Sequence, residues 1–366
     1  PELALKEKRT AGIIADYLKK LGMDVSTGVG KTGVVALLEG NGVGRTLMLR
    51  ADMDALPIEE KTGASYRSKN KGVMHACGHD GHIAIMLGVA KILSECQQEF
   101  KGKVKFVFQP GEEGYEGARL MVKDGVLESP EPDAALGLHL WNEIPVGQIG
   151  VKSGTLMASA DGFEIKILGE SGHGGKPDSG VDAIYIAGNV ITSLQSLVSR
   201  EVSAQTPLVV HIGTIHGGSA PNIIADEVKL TVVVRTLDKE LRASIQGRLD
   251  RILKGITSAH RGSHEITYLG GLSMVVNDEG MTELIKTAAV NVVGIENVIE
   301  PVSSMGSEDM SEFLNAVPGC FFFVGARNEA KGIDHSIHHP LFDIDEAALE
   351  IGTETILRAA LDYLNS

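Results

Sequence analysis

Apolar positions in the first 156 residues alternate between helical and strand-like spacing. The segments RTAGIIADYLKKLG and GHIAIMLGVAKILSEC repeat apolar residues every three or four positions, which is typical of helices packed on a core. Short runs rich in β-forming residues separate or follow them, namely RTLMLRAD, KVKFVFQP and DAALGLHL. Alternating strands and helices predict an α/β domain with a mixed sheet and helices on both faces.

From about residue 160 the pattern changes to the order β, α, β, β, α, β. That order is typical of a ferredoxin-like α+β domain, in which a four-stranded antiparallel sheet carries two helices on one face. The first pattern then resumes with EGMTELIKTAAVNV and closes with a helix in DEAALEIGTETILRAALDYL. We therefore predict an α/β domain formed by residues 1–158 and 271–366, interrupted by an inserted domain at residues 159–270.

Composition and charge argue against several classes of partner. The formal net charge of -14 disfavours nucleic acid, because phosphates require a basic face, and it also disfavours an anionic membrane surface. No apolar run reaches the ~18 residues of a membrane-spanning helix. The three cysteines, Cys77, Cys96 and Cys320, are too far apart to suggest a disulfide framework, so we expect a cytoplasmic protein.

The segment GVGKTG at residues 28–33 resembles glycine-rich phosphate-binding motifs. A complete P-loop needs a glycine five residues before Gly30, where Val25 stands instead. A dinucleotide fingerprint must open a helix, whereas VVALLEG follows and has the pattern of a strand. We therefore predict a turn between a helix and a strand, and no nucleotide site.

Side chains that ligate metals collect where the predicted strands end. The segment HACGHDGH at residues 75–82 contains three of the chain's 12 histidines and one of its three cysteines. Functional side chains of open α/β sheets gather at the carboxyl ends of the strands, so convergence is expected. The further candidates at such ends are Asp52, Asp54, Glu112, Glu113, His139, His338 and His339.

The chemistry of these side chains points to a divalent ion. Thiolate, imidazole and carboxylate together suit Zn²⁺, and they also accept Mn²⁺, Co²⁺ or Ni²⁺. Cys77 and His79 can reach one ion from an extended loop but not from one face of a helix. Adjacent Glu112 and Glu113 must point in different directions, so one can bind metal while the other acts as a general base toward metal-activated water.

Seven motifs in order give the chain a family resemblance: MHACGHDGH, FQPGEEGYEGARLM, LGLHLWNEIPVGQI, GHGGKPDSGVDAI, SAPNIIAD, MGSEDMSEF and HHPLFDIDEAAL. With them the chain resembles the hippurate hydrolase and auxin-conjugate hydrolase branch of the aminoacylase/carboxypeptidase superfamily. The resemblance implies a dinuclear-metal amidohydrolase that cleaves N-acyl-L-amino acids to a carboxylic acid and an amino acid. It also implies that the inserted domain is a lid and dimerisation element of a homodimer or tetramer.

The resemblance also implies roles for individual residues. The ligands of two divalent ions would be Cys77, His79, Glu113, His139 and His338. His338 is chosen over His339 because the family pattern is His-x-Pro and Pro340 follows His339. Glu112 would be the general base.

Three residues of the inserted domain match positions that relatives use for substrate. His173 of SGHGG would donate to the oxyanion, in relatives often across a dimer interface, and Asn222 of APNIIAD would bind substrate. Arg235 of VVVRT would receive the substrate carboxylate. Four polar residues near the ligands are expected to orient them rather than to bind metal: Asp52, Asp54, Asp80 and His82.

Alternative functions stay open at this point. A dipeptidase, a carboxypeptidase or an N-acetyl-diaminopimelate deacetylase would use the same chemistry and differ only in the shape of the substrate pocket. An inactive dimeric binding module is a different class, and the complete set of candidate ligands argues against it. Nucleophilic hydrolysis by serine or cysteine ranks last, because no G-x-S-x-G elbow occurs.

Overall fold

The computed structural model describes residues 1–114 and 116–366, and the described chain divides into two compact units. The first unit comprises three segments: Pro1–Leu156, Val275–Val302 and Asp309–Ser366. The second unit comprises two segments: Met157–Met274 and Ser303–Glu308. The sequence pattern did not single out the short segment Ser303–Glu308 as part of the second unit.

The described residues form helices and strands throughout both units. The helices are α1 Lys8–Lys20, α2 His79–Glu95, α3 Gly117–Lys123, α4 Ala183–Leu194, α5 Lys239–Ala259, α6 Glu279–Val293, α7 Met310–Leu314 and α8 Ala347–Asn365. The strands are β1 Asp24–Val29, β2 Gly33–Glu39, β3 Thr46–Asp52, β4 Lys103–Gln109, β5 Ala134–Pro145, β6 Ile149–Gly150, β7 Gly154–Met157, β8 Ser159–Leu168, β9 Gly172–His173, β10 Leu208–Gly217, β11 Ile223–Ile224, β12 Glu227–Thr236, β13 Ser263–Leu272, β14 Val275–Asn277, β15 Val298–Ile299 and β16 Gly319–Arg327.

The first unit is built on an eight-stranded mixed sheet in the order β1-β2-β4-β3-β5-β16-β6-β15. Strands β4, β3, β5 and β16 run parallel to one another, whereas β1 and β2 pair antiparallel at one side. Strand β3 is buried along its whole length, which is typical of a parallel strand covered on both faces. Residues of α1, α2, α6 and α8 share one apolar core with this sheet. The prediction of a mixed α/β fold is confirmed.

The second unit contains a four-stranded antiparallel sheet in the order β10-β12-β8-β13. The strands of this sheet and its two helices come in the predicted order β8, α4, β10, β12, α5 and β13, with the short strands β9 and β11 inserted between them. Burial alternates strictly along β8, so one face of that strand is apolar and packed. That face shares a core with α4 and α5, which is the ferredoxin-like arrangement.

The glycine-rich segment at residues 28–33 is a hairpin turn between β1 and β2. The prediction of a turn was right, but the element before it is a strand and not a helix. Gly28 and Gly30 have φ of 83° and 62°, which glycine adopts without steric cost. The Gly30 N–H donates to Asp124 Oδ2 at 2.8 Å, and no helix opens at this turn.

Across the part of the chain that the structure describes, every helix is too short or too polar to cross a lipid bilayer.

Candidate metal centre

The carboxyl ends of the parallel strands bring the candidate residues of the first unit together. Asp52 ends β3, and Glu112 and Glu113 follow β4 by three and four residues. His139 lies within β5, in register with Phe323 of β16. This edge of an α/β sheet is where loops converge without blocking strand pairing, so polar side chains can accumulate there.

Cys77 and His79 lie on either side of Gly78, the residue at the start of α2. Gly78 at the N-cap has φ of 86°, a left-handed conformation that lets the chain reverse between the two side chains. Both side chains are buried. His79 Nδ1 lies 2.9 Å from the Asp54 carbonyl oxygen, and this contact leaves Nε2 as the nitrogen that faces the cluster. Among the described residues, His79 Nε2 has no hydrogen-bond partner.

His139 completes a first group of ligand-type atoms with Cys77 and His79. Its Nδ1 donates to the Leu140 carbonyl oxygen at 2.7 Å, which leaves the Nε2 lone pair 3.4 Å from Cys77 Sγ. Burial, together with the nearby His82, lowers the pKa of His139 well below its ordinary value. A neutral imidazole with a free lone pair is the form that binds metal. The ligand atoms of the group lie within 4.8 Å of one another.

A second group of ligand-type atoms also contains Cys77, together with Glu113 and His338. His338 Nε2 lies 3.1 Å from Glu113 Oε1. The His338 backbone has φ of 66°, and its N–H donates to the Ala76 carbonyl oxygen at 2.7 Å. The Cys77 thiol and then the Glu113 carboxylate raise the pKa of His338 to about 10. The neighbouring His339 instead stacks on His335, with ring centroids 4.3 Å apart.

Glu112 lies beside both groups. Its carboxylate forms a third cluster with His79 and Glu113, again with ligand atoms within 4.8 Å. The backbone N–H groups of Glu112 and Glu113 donate to the two oxygens of Asp54 at 3.1 and 3.0 Å. One carboxylate thereby fixes both peptide groups of the turn.

The electrostatics of this centre favour a bound positive charge. Burial would lower the pKa of His79, but the charges of Asp52 and then Cys77 outweigh burial and raise it well above its ordinary value. Burial also raises the pKa of the Cys77 thiol, against the opposing effect of His79. Thiol, imidazole and carboxylate are the donor types that Zn²⁺ and its neighbours prefer. The unpartnered, buried His79 Nε2 is the atom that an ion would satisfy.

Polar residues behind the candidate ligands hold them in place. Asp52 Oδ1 lies 2.6 Å from His82 Nδ1, and Asp52 Oδ2 lies 3.7 Å from His79 Nε2. The charges of His79, His82 and Arg50 outweigh burial and keep the pKa of Asp52 well below its ordinary value. Asp80 was also expected to orient a ligand, but it is exposed, and its Oδ1 accepts the N–H of Gly81 at 3.0 Å.

In the second unit, the structure brings His173 and Asn222 together. Strands β9 and β11 pair so that His173 stands opposite Ile223, and the Gly174 N–H donates to the Asn222 carbonyl oxygen at 2.8 Å. His173 Nδ1 accepts the Gly175 N–H at 3.0 Å, so the ring proton is on Nε2. His173 is exposed, and this tautomer can donate a hydrogen bond to a ligand.

Arg235 lies on β12 and is tied to the segment Ser303–Glu308 of the same unit. Its Nη1 donates to the Met305 carbonyl oxygen at 3.0 Å and lies 3.4 Å from Ser307 Oγ. The guanidinium has further donors besides Nη1.

Comparison with known proteins identifies the family. Residues 48–362 match peptidase family M20/M25/M40. The chain belongs to this family. An N-acyl-L-amino acid amidohydrolase of Geobacillus stearothermophilus is 43% identical over 282 residues, which cover 76% of this chain and 76% of that protein. IAA-amino acid hydrolase ILR1-like 4 of Arabidopsis thaliana is 36% identical over 368 residues, which cover 100% of this chain and 83% of that protein.

A solved structure shares the whole fold. The crystal structure of Bacillus subtilis YXEP, described as a dinuclear metal-binding peptidase from the M20 family, matches with a TM-score of 0.86 at 34% identity. The match covers 100% of this chain and 94% of that one. As an M20/M25/M40 member the protein is a metal-dependent amide hydrolase, which confirms that prediction. The narrower assignment to the hippurate-hydrolase branch stays a prediction.

Sequence reasoning missed one group of polar residues in this M20/M25/M40 protein. Arg50, Gln109 and Asp309 form a buried network next to the candidate ligands. The available signal was Arg50, a charged residue inside the otherwise apolar strand TLMLRAD, because a fully buried charge needs a partner. One partner, Asp52, is two residues away, whereas no local pattern could identify Asp309, which lies 259 residues further along the chain.

Proposed function

We propose that this protein hydrolyses the amide bond of N-acyl-L-amino acids and releases a carboxylic acid and a free amino acid. The observation that carries the proposal is the convergence of two candidate ligand groups that share Cys77, with Glu112 beside them. The names of the relatives support the substrate class, since one is an N-acyl-L-amino acid amidohydrolase and another an IAA-amino acid hydrolase.

Two divalent ions would be held by side chains from both groups. His79 and His139 would bind one ion, Glu113 and His338 the other, and Cys77 would be common to both. Zn²⁺, Mn²⁺, Co²⁺ and Ni²⁺ all suit this donor set. When bound, such ions lower the pKa of water and polarise the substrate carbonyl.

Glu112 would move the proton during hydrolysis. Glu112 is nearly fully buried, and its carboxylate lies within 4.8 Å of the ligand atoms of His79 from one group and Glu113 from the other, so it would be close to a water activated by the ions. As general base it would take the proton from that water, and as general acid it would pass the proton to the departing amine nitrogen. Glu113 is held toward His338 and is therefore not placed for the same role.

Three residues of the second unit would bind the substrate. His173 would donate its Nε2–H to the oxyanion, because its Nδ1 is already occupied by the Gly175 N–H. Asn222, which immediately precedes β11 and accepts the Gly174 N–H at its carbonyl oxygen, would bind the acyl or amino-acid portion, and Arg235 the carboxylate. A homodimer and a cytoplasmic location stay predictions.

Metal removal and substrate comparison test the proposed function. The protein is stripped with chelator, each of the four ions is added back, and amine release is followed from N-acetyl, N-benzoyl and indole-3-acetyl amino acids and from dipeptides. We expect two ions bound per chain and metal-dependent release that is fastest from an N-acyl amino acid. Faster release from dipeptides would favour a peptidase instead. No release from any substrate, with two ions bound, would contradict the proposal.

A further inference from the structure

A buried ionic network joins strands β3 and β4 to the segment that precedes α7. The Arg50 guanidinium donates to Gln109 Oε1 at 2.8 Å, to Asp52 Oδ2 at 2.8 Å and to Asp309 Oδ1 at 3.1 Å. All four side chains are essentially inaccessible to solvent. None of the proposed metal ligands belongs to this network, so its function is a separate question.

Asp309 contacts both ends of the turn that carries Glu112 and Glu113. On the side before the turn, Gln109 Nε2 donates to Asp309 Oδ1 at 2.6 Å. On the side after the turn, the Ala118 N–H donates to Asp309 Oδ2 at 2.9 Å. A single carboxylate therefore fixes the distance between the end of β4 and the start of α3.

The base of this turn is closed so tightly that movement at its ends would reach the glutamates. The Gly117 N–H donates to the Gly111 carbonyl oxygen at 3.1 Å. A Cβ atom at Gly117 would lie 1.6 Å from the Pro110 carbonyl oxygen, so the backbone segments that enter and leave the turn are in direct contact. Displacement of Gln109 or Ala118 would consequently shift Glu112 and Glu113.

We propose that Asp309 is a positioning residue that sets the location of the Glu112 and Glu113 carboxylates. This inference rests on the proposed function, in which Glu112 moves the proton and Glu113 binds metal. Through Arg50 the same carboxylate also fixes Asp52, which hydrogen-bonds to His82 and faces His79. Asp309 thereby holds the glutamate turn and the histidines of α2 in fixed positions relative to one another.

The substitution Asp309→Asn tests this role because an amide cannot replace both carboxylate oxygens. Oδ1 accepts from Gln109 and Arg50, and Oδ2 accepts from Ala118. In either orientation the amide NH₂ group would face another hydrogen-bond donor. The hydrogen bond of residue 309 to one end of the turn must therefore be lost. A second variant, Gln109→Met, removes the contact before the turn together with the Arg50 Nε hydrogen bond to Gln109 Oε1. It leaves the Asp309 carboxylate with its Arg50 Nη2 and Ala118 N–H partners in place.

Thr282→Val provides a matched control in the first unit, near the start of β16 and away from the glutamate turn. Thr282 is fully buried on α6, where its Oγ1 donates to the Asp278 carbonyl oxygen at 2.6 Å and faces Cys320 at the start of β16. The substitution removes a buried hydrogen bond from the first unit but leaves the glutamate turn untouched. It therefore reproduces a general loss of stability without the loss of positioning.

Four measurements are made on each full-length variant: kcat, KM, the affinity for Co²⁺ followed by its absorption spectrum, and hydrogen exchange at the Ala118 amide. For Asp309→Asn and Gln109→Met we expect kcat to fall ~10–100-fold and Co²⁺ affinity to weaken by ~10-fold or more. Exchange at Ala118 should accelerate in Asp309→Asn, which loses the carboxylate oxygen that accepts this N–H. KM should change less than about twofold, because in the proposed function neither Asp309 nor Gln109 binds substrate. Thr282→Val should retain the wild-type kcat, Co²⁺ affinity and Ala118 exchange.

Other results would overturn the proposal. The proposal fails if Asp309→Asn and Gln109→Met both keep wild-type kcat and Co²⁺ affinity. It also fails if Thr282→Val loses as much kcat or Co²⁺ affinity as these two variants. If Asp309→Asn does not fold, Gln109→Met decides by the same criteria. If the wild-type protein hydrolyses no N-acyl amino acid, the proposed function fails by itself, and Co²⁺ affinity with Ala118 exchange still decides whether Asp309 positions the turn.

Discussion

His82 and Asp52 form a buried hydrogen bond of 2.6 Å between Nδ1 and Oδ1. On its other side, His82 Nε2 accepts the Leu140 N–H at 2.9 Å, so the Nδ1 atom must carry the ring proton. The imidazole thus connects the backbone of β5, next to His139, with the carboxylate that faces His79. Two of the proposed ligands are therefore positioned by one histidine that binds no metal in our proposal.

Loss of His82 should destabilise the first unit markedly. In His82→Ala, the Leu140 N–H and the Asp52 carboxylate both lose a buried partner, which costs about 1–3 kcal/mol for each unsatisfied group. We expect urea unfolding to show a lower free energy of unfolding by ~2 kcal/mol or more. Arg358→Ala removes a surface ion pair of 2.7 Å with Glu354 on α8 of the same unit, and it should cost less than about 1 kcal/mol. Equal losses in the two variants would contradict this account.

His338 and His339 are adjacent in sequence but should differ completely in metal binding. His338 faces Cys77 and Glu113, whereas His339 stacks on His335 and its Nδ1 accepts the Leu341 N–H at 3.1 Å. In His338→Ala we expect the affinity for one ion per chain to fall more than ~100-fold, which exceeds the effect typical of residues that only support a ligand. His339→Ala should retain both ions, as measured by metal analysis after gel filtration. The reverse result would reassign the ligand.

Glu112→Gln should separate catalysis from metal binding. The amide keeps the shape of the side chain but cannot take a proton, so kcat should fall at least ~10²–10⁴-fold. The number of ions bound per chain should not change, because Glu112 is not one of the proposed ligands. Glu116→Gln is the control, since Glu116 follows the same turn but pairs with Arg119 at the surface. Normal turnover by Glu112→Gln would show that another group moves the proton.

The cysteines should differ in reactivity toward a thiol reagent. Burial raises the pKa of Cys320 to about 12, so below that pH the folded protein holds it as the unreactive thiol. Cys96 lies partly exposed at the end of α2, and we predict that it reacts first. At pH 8, modification followed by mass spectrometry should show Cys320 labelled only after unfolding. Native labelling of Cys320 would contradict its burial.

The sequence alone determined the architecture and most of the chemistry of the candidate metal centre. Strand β3 and helix α2 could be predicted because their apolar spacing follows from burial against a common core. The HACGHDGH segment could be singled out because cysteine and histidine are scarce in this chain and are metal-type ligands. Both signals are local, since spacing and composition can be read within a few neighbouring residues.

Only the tertiary structure decided which distant residues share a function. Arg50, inside an apolar strand, meets Asp309 across 259 residues, and no local pattern specifies that pairing. Likewise, Asp54 binds the N–H groups of the turn at Glu112 because β3 and β4 are parallel neighbours. Contacts of this kind depend on strand order and register, which are set by the packing of the whole unit rather than by any one segment.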